Sequence, residues 1–307
     1  MFDGKLNAVS STGGGIMANN LIRGSEMFGG WKRGILSGKP PVRWAMADDA
    51  SPLTAIHAGP GRVTALGGLP GGGKTALTMQ LMTDGLRLSD ELRVLVANVE
   101  MPPDELMNRQ LSRLSGIDLR TIQERTFAAD HMDRLQSGFA ELESIIERLG
   151  FVRGPFTFEN VAHAADELDP QILVLDYLQR FTVSTSDDRR GGLDQSMSWI
   201  RQFADSGSCV FVVSALARQK NARGQNGYDP ESLSLASFRD SSEIEFGVDD
   251  AYILATGKEP SERILKHLKS RNGECRDIAL EFDGAVQRFG GTFIDDIASQ
   301  AESWWDK

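Results

Sequence analysis

Cysteine is scarce. Two occur in 307 residues, Cys209 within an apolar run and Cys275 within a polar one. That excludes a disulfide-stapled scaffold and leaves one buried and one surface thiol as the expectation. Long apolar runs are also lacking. ILVL at 172–175 and CVFVVSAL at 209–216 fall far short of the about 18 residues that a membrane span requires. The N-terminal MFDGKLNAVSSTGGG has neither the basic flank nor the apolar segment of a secretory signal, so a cytoplasmic location is expected. Positive charge is in deficit as well: 33 Lys and Arg stand against 43 Asp and Glu, a net charge of -10. The molecule as a whole repels nucleic acid, and any contact with DNA or RNA has to come from a local basic patch. What the chain does have is 40% hydrophobic residues, enough for one large α/β domain or two modest ones.

The first 40 residues are rich in Gly, Ser and Asn around one apolar cluster, LIRGSEMFGGW, and read as an arm or linker with a short helix. From residue 41 to 290 the text alternates apolar runs (RVTALGG, LRVLVANVE, QILVLDYL, CVFVVSAL) with helical stretches. That is the signature of a mainly parallel central sheet covered by helices on both faces. Between 132 and 149, Met132, Leu135, Phe139, Leu142, Ile146 and Leu149 step by three and four, which predicts one helix. After Asp250 four strand-like runs follow without helices between them, which predicts an antiparallel C-terminal extension turning at Asn272-Gly273 and Asp283-Gly284. Residues 291–307 form a tail of helical spacing ending in Trp304-Trp305, which packs on its own domain or docks on a partner.

The chemistry is concentrated in Gly68-Leu69-Pro70-Gly71-Gly72-Gly73-Lys74-Thr75, between an apolar strand and an amphipathic helix that continues through Ala76. This matches G-x-x-x-x-G-K-[ST]: glycine N–H groups and the helix N-terminus wrap phosphates, Lys74 meets the terminal phosphates, and Thr75 reaches Mg²⁺. ATP and Mg²⁺ are therefore the expected ligands. Asp176, closing the strand QILVLD, is either a turn residue or the second support of the metal; beside a phosphate loop the metal role is expected. Glu100, ending LRVLVANVE, either caps the next helix or acts on the attacking water from the C-terminal edge of the sheet.

Lys269 and Arg271 of LKSRNG lie two residues apart, so on a strand both face one target, or they simply solvate an edge. In the predicted extension they stand across the sheet from their own phosphate loop. Two further loops are basic: DDRRGGLD, with Arg189 and Arg190, and ARQKNARGQNG, with Arg218, Lys220 and Arg223. Such runs are solvated surface or phosphate contacts.

In order, GLPGGGKTALTMQ, VANVEMPPDELMNRQL, QILVLDYLQRF, SALARQ, FRDSSEIEFGVDDAYIL and LKSRNG resemble the ATPase domain of DnaB-type replicative DNA helicases, a RecA-like P-loop family, over roughly Gly61 to Phe289. The resemblance implies a homo-oligomeric, six-membered ring that hydrolyses ATP at subunit interfaces and draws single-stranded DNA through its centre, with replication or loader proteins as partners. It implies that Glu100 is the catalytic carboxylate and Asp176 the metal-side acid. It further implies that Lys269 and Arg271 reach the neighbour's nucleotide and that Arg239, Asp240 and Ser242 hold the DNA backbone, with the loop of Arg218, Lys220 and Arg223 beside them. Arg109 stands at a family position without a derivable role.

Three departures stand against this. Ala215 occupies the place of a polar phosphate sensor, roughly 60 residues precede the phosphate-loop strand where a helical domain and linker would need more, and FRDSS has Asp and Ser where Glu, Ser and Gly are usual. The expected function is an ATP-hydrolysing ring motor of helicase or translocase type. The alternative is a regulatory or recombination-accessory ATPase of the same fold that switches without unwinding.

Overall fold

The computed structural model describes residues 21–181, 189–217, 219–220, 226–227, 233–238, 241–271 and 273–290, with side chains at 189–194, 219–220, 226–227 and 241–243 left aside. Two compact units divide the chain, Met1–Val42 and Arg43–Lys307. The first contains α1 (Gly24–Leu36), on which the rings of Phe28 and Trp31 lie 5.6 Å apart.

The second unit is built on one nine-stranded sheet. Its strands are β1 (Val63–Gly68), β2 (Val94–Asn98), β3 (Leu149–Phe151), β4 (Ile172–Asp176), β5 (Cys209–Ala215), β8 (Asp250–Thr256), β9 (Glu262–Ser270), β10 (Ile278–Asp283) and β11 (Arg288–Gly290), in the order β11-β10-β9-β8-β1-β5-β4-β2-β3. The short β6 (Gln219–Lys220) and β7 (Asn226–Gly227) pair separately. The central strands are near-continuous apolar runs because both faces are buried, with polar side chains at Thr64 and, toward the C-terminal ends, at Asn98, Asp176 and Ser214. In β2, Val94 and Val96 face one core while Leu95 and Ala97 face the other, and β4 and β5 divide the same way. Helices α2 (Lys74–Leu88), α3 (Pro103–Ser115), α4 (Leu119–Glu124) and α5 (His131–Glu143) cover the first face, and α6 (Phe158–Leu168), α7 (Arg189–Asp205) and α8 (Ser241–Gly247) the second. Among the described residues no helix is long and apolar enough to cross a membrane.

Two expectations are corrected. The periodic run at 132–149 is not one helix: α5 stops at Glu143, Ile146 lies in a 3₁₀ turn and Leu149 opens β3. Leu135, Leu142 and Leu149 are buried while Met132, Phe139 and Ile146 are exposed, so the apolar period covers more than the core-facing stripe and carried no information about where the helix ends. The run AYILAT, now β8, is parallel to β1 and belongs to the main sheet. Helix α8 supplies the crossover that a parallel neighbour needs. The antiparallel part begins only at β9, which pairs with β8 and β10. Both cysteines are free, Cys209 buried and Cys275 exposed, and burial pushes the Cys209 thiol up to about 12.

Candidate functional site

The parallel register brings the C-terminal ends of four strands together: Gly68 of β1 lies beside Ala215 of β5, and Asn98 of β2 beside Asp176 of β4. At this edge β1 turns into α2 through the glycine-rich loop. Gly71 (φ +73°) and Gly73 (φ +99°) adopt left-handed backbone conformations, which glycine reaches without a Cβ penalty. Beneath the loop a Cβ at Gly73 would meet the Phe289 ring at 2.8 Å. Phe289 stacks on Phe282 at 4.4 Å, and the buried Arg263 lies over Phe282 while its Nε donates to Gly72 O at 3.3 Å. The C-terminal strands β9 to β11 thus form the floor of the phosphate loop.

Lys74 Nζ donates to the carbonyls of Gly68 and Leu69, both at 2.9 Å. Burial lowers the Lys74 ammonium from its ordinary value, opposed by the nearby charges of Asp176 and Glu100. Thr75 Oγ1 donates to Asp176 Oδ2 at 2.7 Å, and Asn98 Nδ2 donates to the same oxygen at 2.9 Å. Burial raises the Asp176 carboxyl to about 6, against the hydrogen bond from Thr75. The Asn98 Oδ1 accepts from the backbone N–H groups of Glu100 and Met101 at 2.9 and 2.8 Å, which holds the exposed Glu100 at the same edge. Glu100 does not cap the following helix: the cap residue of α3 is Pro102, without a side-chain cap.

The donor set fits a magnesium nucleotide. A hydroxyl and one carboxylate in contact are hard oxygen ligands of the kind that hold Mg²⁺ together with substrate phosphates. The described residues hold no cluster of three or more His, Cys, Asp or Glu that could form an all-protein cage. Pro70 and Gly71 are exposed, Gly72 and Ala76 are buried, and the loop presents its backbone around Lys74.

Lys269 and Arg271 are not part of this assembly. Strand β9 runs antiparallel to β8, which sets Lys269 opposite Ala251 and Ser270 opposite Asp250. Asp250 in turn pairs with Thr64, at the start of β1. Four residues of strand, about 13 Å, separate this edge from Gly68. Lys269 Nζ donates to the carbonyls of Glu245 and, at 2.7 Å, Val248, closing the C-terminal end of α8, where carbonyls lack helical partners. Arg271 Nη1 donates to Asp249 Oδ1 at 2.7 Å.

Arg218, Arg223, Arg239 and Asp240 lie outside the described residues, as do the side chains of Lys220, on β6, and Ser242, on α8. Arg109 has a structural role: its Nη1 donates to Gln287 Oε1 at 2.5 Å and it pairs with Glu105 at 3.1 Å, tying α3 to the turn before β11.

Sequence reasoning passed over Asn98 and Gln179. The signal for Asn98 was an amide closing an otherwise apolar strand two residues before Glu100. Gln179 gave none: its Nε2 donates to Ser214 Oγ at 2.8 Å, and its Oε1 accepts from Ala215 N at 3.2 Å. An amide from the turn after β4 therefore stands beside the residue that lacks one.

Among solved structures, the chain is similar to the ATPase domain of G40P, with a TM-score of 0.73 and 16% identity, covering 88% of this chain and 98% of that one. It is also similar to a DnaB-like replicative helicase described with its interactions with primase, with a TM-score of 0.72 and 17% identity, covering 86% of this chain and 67% of that one. A comparison with curated protein sequences returns no match. The family model of the DnaB-like helicase C-terminal domain matches residues 55–291. With that match over most of its length, and a RecA-like sheet whose phosphate loop meets a carboxylate from β4, the chain belongs to the DnaB-like helicase C-terminal domain family.

Proposed function

We propose that this domain hydrolyses ATP with Mg²⁺ in a homo-oligomeric ring, six-membered as the family resemblance implies, and uses the cycle to move along single-stranded DNA. The observation that carries the proposal is the contact of Thr75 with Asp176 beside Lys74 and Glu100. Lys74 exchanges its two carbonyl partners for terminal phosphate oxygens, which a charged acceptor favours. Thr75 and Asp176 hold the cation, with Asn98 orienting Asp176. Bound Mg²⁺ supplies neutralisation of phosphate charge. Glu100, held by Asn98 through its own backbone, orients the attacking water and takes its proton. Lys269 and Arg271 stand at the opposite edge of the sheet and serve the nucleotide of a second copy. The loop of Arg218, Lys220 and Arg223 and the segment Arg239 to Ser242 contact the DNA backbone, and replication or loader proteins are the partners of the ring.

The expected outcomes separate these roles. Lys74→Ala loses nucleotide binding, because the ammonium meets ground-state charge. Glu100→Gln binds and does not turn over, because its work is done in the transition state. Arg271→Ala binds and assembles but hydrolyses slowly, by up to about 10³ to 10⁵ if it acts as a finger supplied in trans, and rings mixed with Lys74→Ala subunits regain activity. Equal activity of Glu100→Gln and the parent would remove Glu100 from the mechanism. Strand displacement on a forked duplex tests movement.

The second reading, an ATPase that switches without unwinding, is favoured by one observation. At Ala215 the strand end carries no polar side chain, and the neighbouring Gln179 spends both ends of its amide on β5. Hydrolysis unaffected by single-stranded DNA, with no strand displacement, would select it.

A further inference from the structure

We infer that Asp249 is a positioning residue that holds Arg271 ready for the phosphates of a second copy, an inference that rests on the trans reading above. Asp249 lies just before β8 with its side chain 5% exposed, and four hydrogen bonds converge on it. Its Oδ2 accepts from the Val63 N–H at 2.8 Å and from Arg201 Nη1 at 2.8 Å. Its Oδ1 accepts from Arg271 Nη1 at 2.7 Å, and its backbone carbonyl accepts from the Arg271 N–H at 2.8 Å. Arg271 is thus seized by side chain and backbone, and its anchor is bonded to the first residue of the strand whose other end carries the phosphate loop.

An ordinary surface ion pair would not deserve such a role, because exposed pairs contribute little and the arginine stays mobile. Here only one partner is exposed. The Arg271 side chain is 53% exposed while its carboxylate is buried, and Asp249 occupies only one of the three guanidinium nitrogens. Nor does Asp249 cancel the charge that a phosphate would meet. Arg201, from α7, takes the second carboxylate oxygen while also lying 3.7 Å from Asp205, so the charge of Asp249 is shared between two guanidinium groups and is not spent on Arg271 alone. Lys269, near enough to Arg271 to feel its charge, is committed to the C-terminal carbonyls of α8. Of Lys269 and Arg271, the latter is therefore the cation that is held and still largely exposed. A donor fixed before the encounter loses less freedom on binding and meets the reacting group in one geometry.

The test is made on the full chain. Asp249→Asn keeps the size of the side chain and an acceptor for the Val63 N–H. It is expected to fold, assemble and bind an ATP analogue, but to lower kcat on the order of 10²-fold. The double variant Asp249→Asn/Arg271→Ala is expected to be no slower than Arg271→Ala alone, because the two residues act as one unit. The defect is expected in trans: Asp249→Asn subunits mixed with Lys74→Ala subunits regain activity, as Arg271→Ala subunits do. Arg201→Gln, which leaves Asp249 to cancel Arg271, is a second variant that spares the buried carboxylate and is also expected to lower kcat; it decides the matter if Asp249→Asn does not fold. Additive losses, or no recovery in shared rings, would place the role of Asp249 within its own subunit and overturn the inference. Parental or faster hydrolysis in the variant that folds would show that Asp249 restrains Arg271 or ignores it. If Arg271→Ala itself hydrolyses normally, the trans reading falls first; if Arg271→Ala fails and Asp249→Asn does not, only the present inference falls.

Discussion

Two aspartates separated by 74 positions illustrate how environment divides one side-chain type into two tasks. Asp176 is buried at the phosphate-loop edge with neutral donors, Thr75 and Asn98, on one oxygen, so its charge is incompletely matched until a cation arrives. Asp250 lies at the other edge beside Arg62 and His267. Arg62 bonds its Oδ2, and His267 Nε2 stands 3.4 Å from its Oδ1. Burial by itself would raise the Asp250 carboxyl, but the His267 and Arg62 side chains outweigh it and hold it below the ordinary value. A carboxyl whose folded value lies below its unfolded one contributes stability above the unfolded value of about 3.9 and loses it as pH falls through the folded value. Asp250→Asn is therefore expected to cost about 3–5 kcal/mol at neutral pH, the cost of breaking a buried pair, with a smaller difference from the parent below about pH 4. Denaturant titrations of both proteins at a series of pH values check this. A difference constant from pH 7 to 3 would show that Asp250 contributes volume and no charge.

At the level of elements, the strand ends are linked by contacts that side chains larger than glycine would break. Gly67 of β1 is the clearest case: a Cβ there would lie 2.7 Å from the Phe238 ring and 2.8 Å from Leu216 Cδ2, both buried. Leu216 and Phe238 also form an isolated antiparallel bridge, and Ala217 N donates to Ser237 O at 2.9 Å. These contacts clamp the two ends of the stretch that begins after β5 and reaches the segment 239–242, and they press both against the strand feeding the phosphate loop. Gly67→Ala is expected to destabilise by about 1–3 kcal/mol, as overpacking of a close-packed core does. Because the displaced side chains flank the proposed DNA-contacting segments, stimulation of hydrolysis by single-stranded DNA is expected to fall more than the basal rate. Denaturant unfolding and paired ATPase assays measure the two effects. A variant as stable as the parent would mean that Phe238 moves without cost.

On the scale of the whole molecule, the net charge of -10 opposes DNA binding, so the proposed contacts act locally against a repulsive field. Arg223→Ala and Arg239→Ala are expected to weaken single-stranded DNA binding to a similar degree on all sequences. Each is expected to lower the slope of log K against log salt by about one, as read by anisotropy titrations from low to moderate salt. Loss confined to one sequence would indicate base reading and reject a backbone contact.

What the sequence by itself determined was whatever is local or periodic. The loop Gly68–Thr75 is one continuous stretch whose glycines and lysine announce its chemistry, and the central strands declare themselves as apolar runs because a doubly covered sheet has no polar face. The direction of β8, the end of α5, the partnership of Asn98 with Asp176 and the pairing of Arg271 with Asp249 were decided only in three dimensions. Each depends on sheet register or on packing between segments far apart in the chain, and no local pattern of residue types encodes which strand edge a side chain will meet.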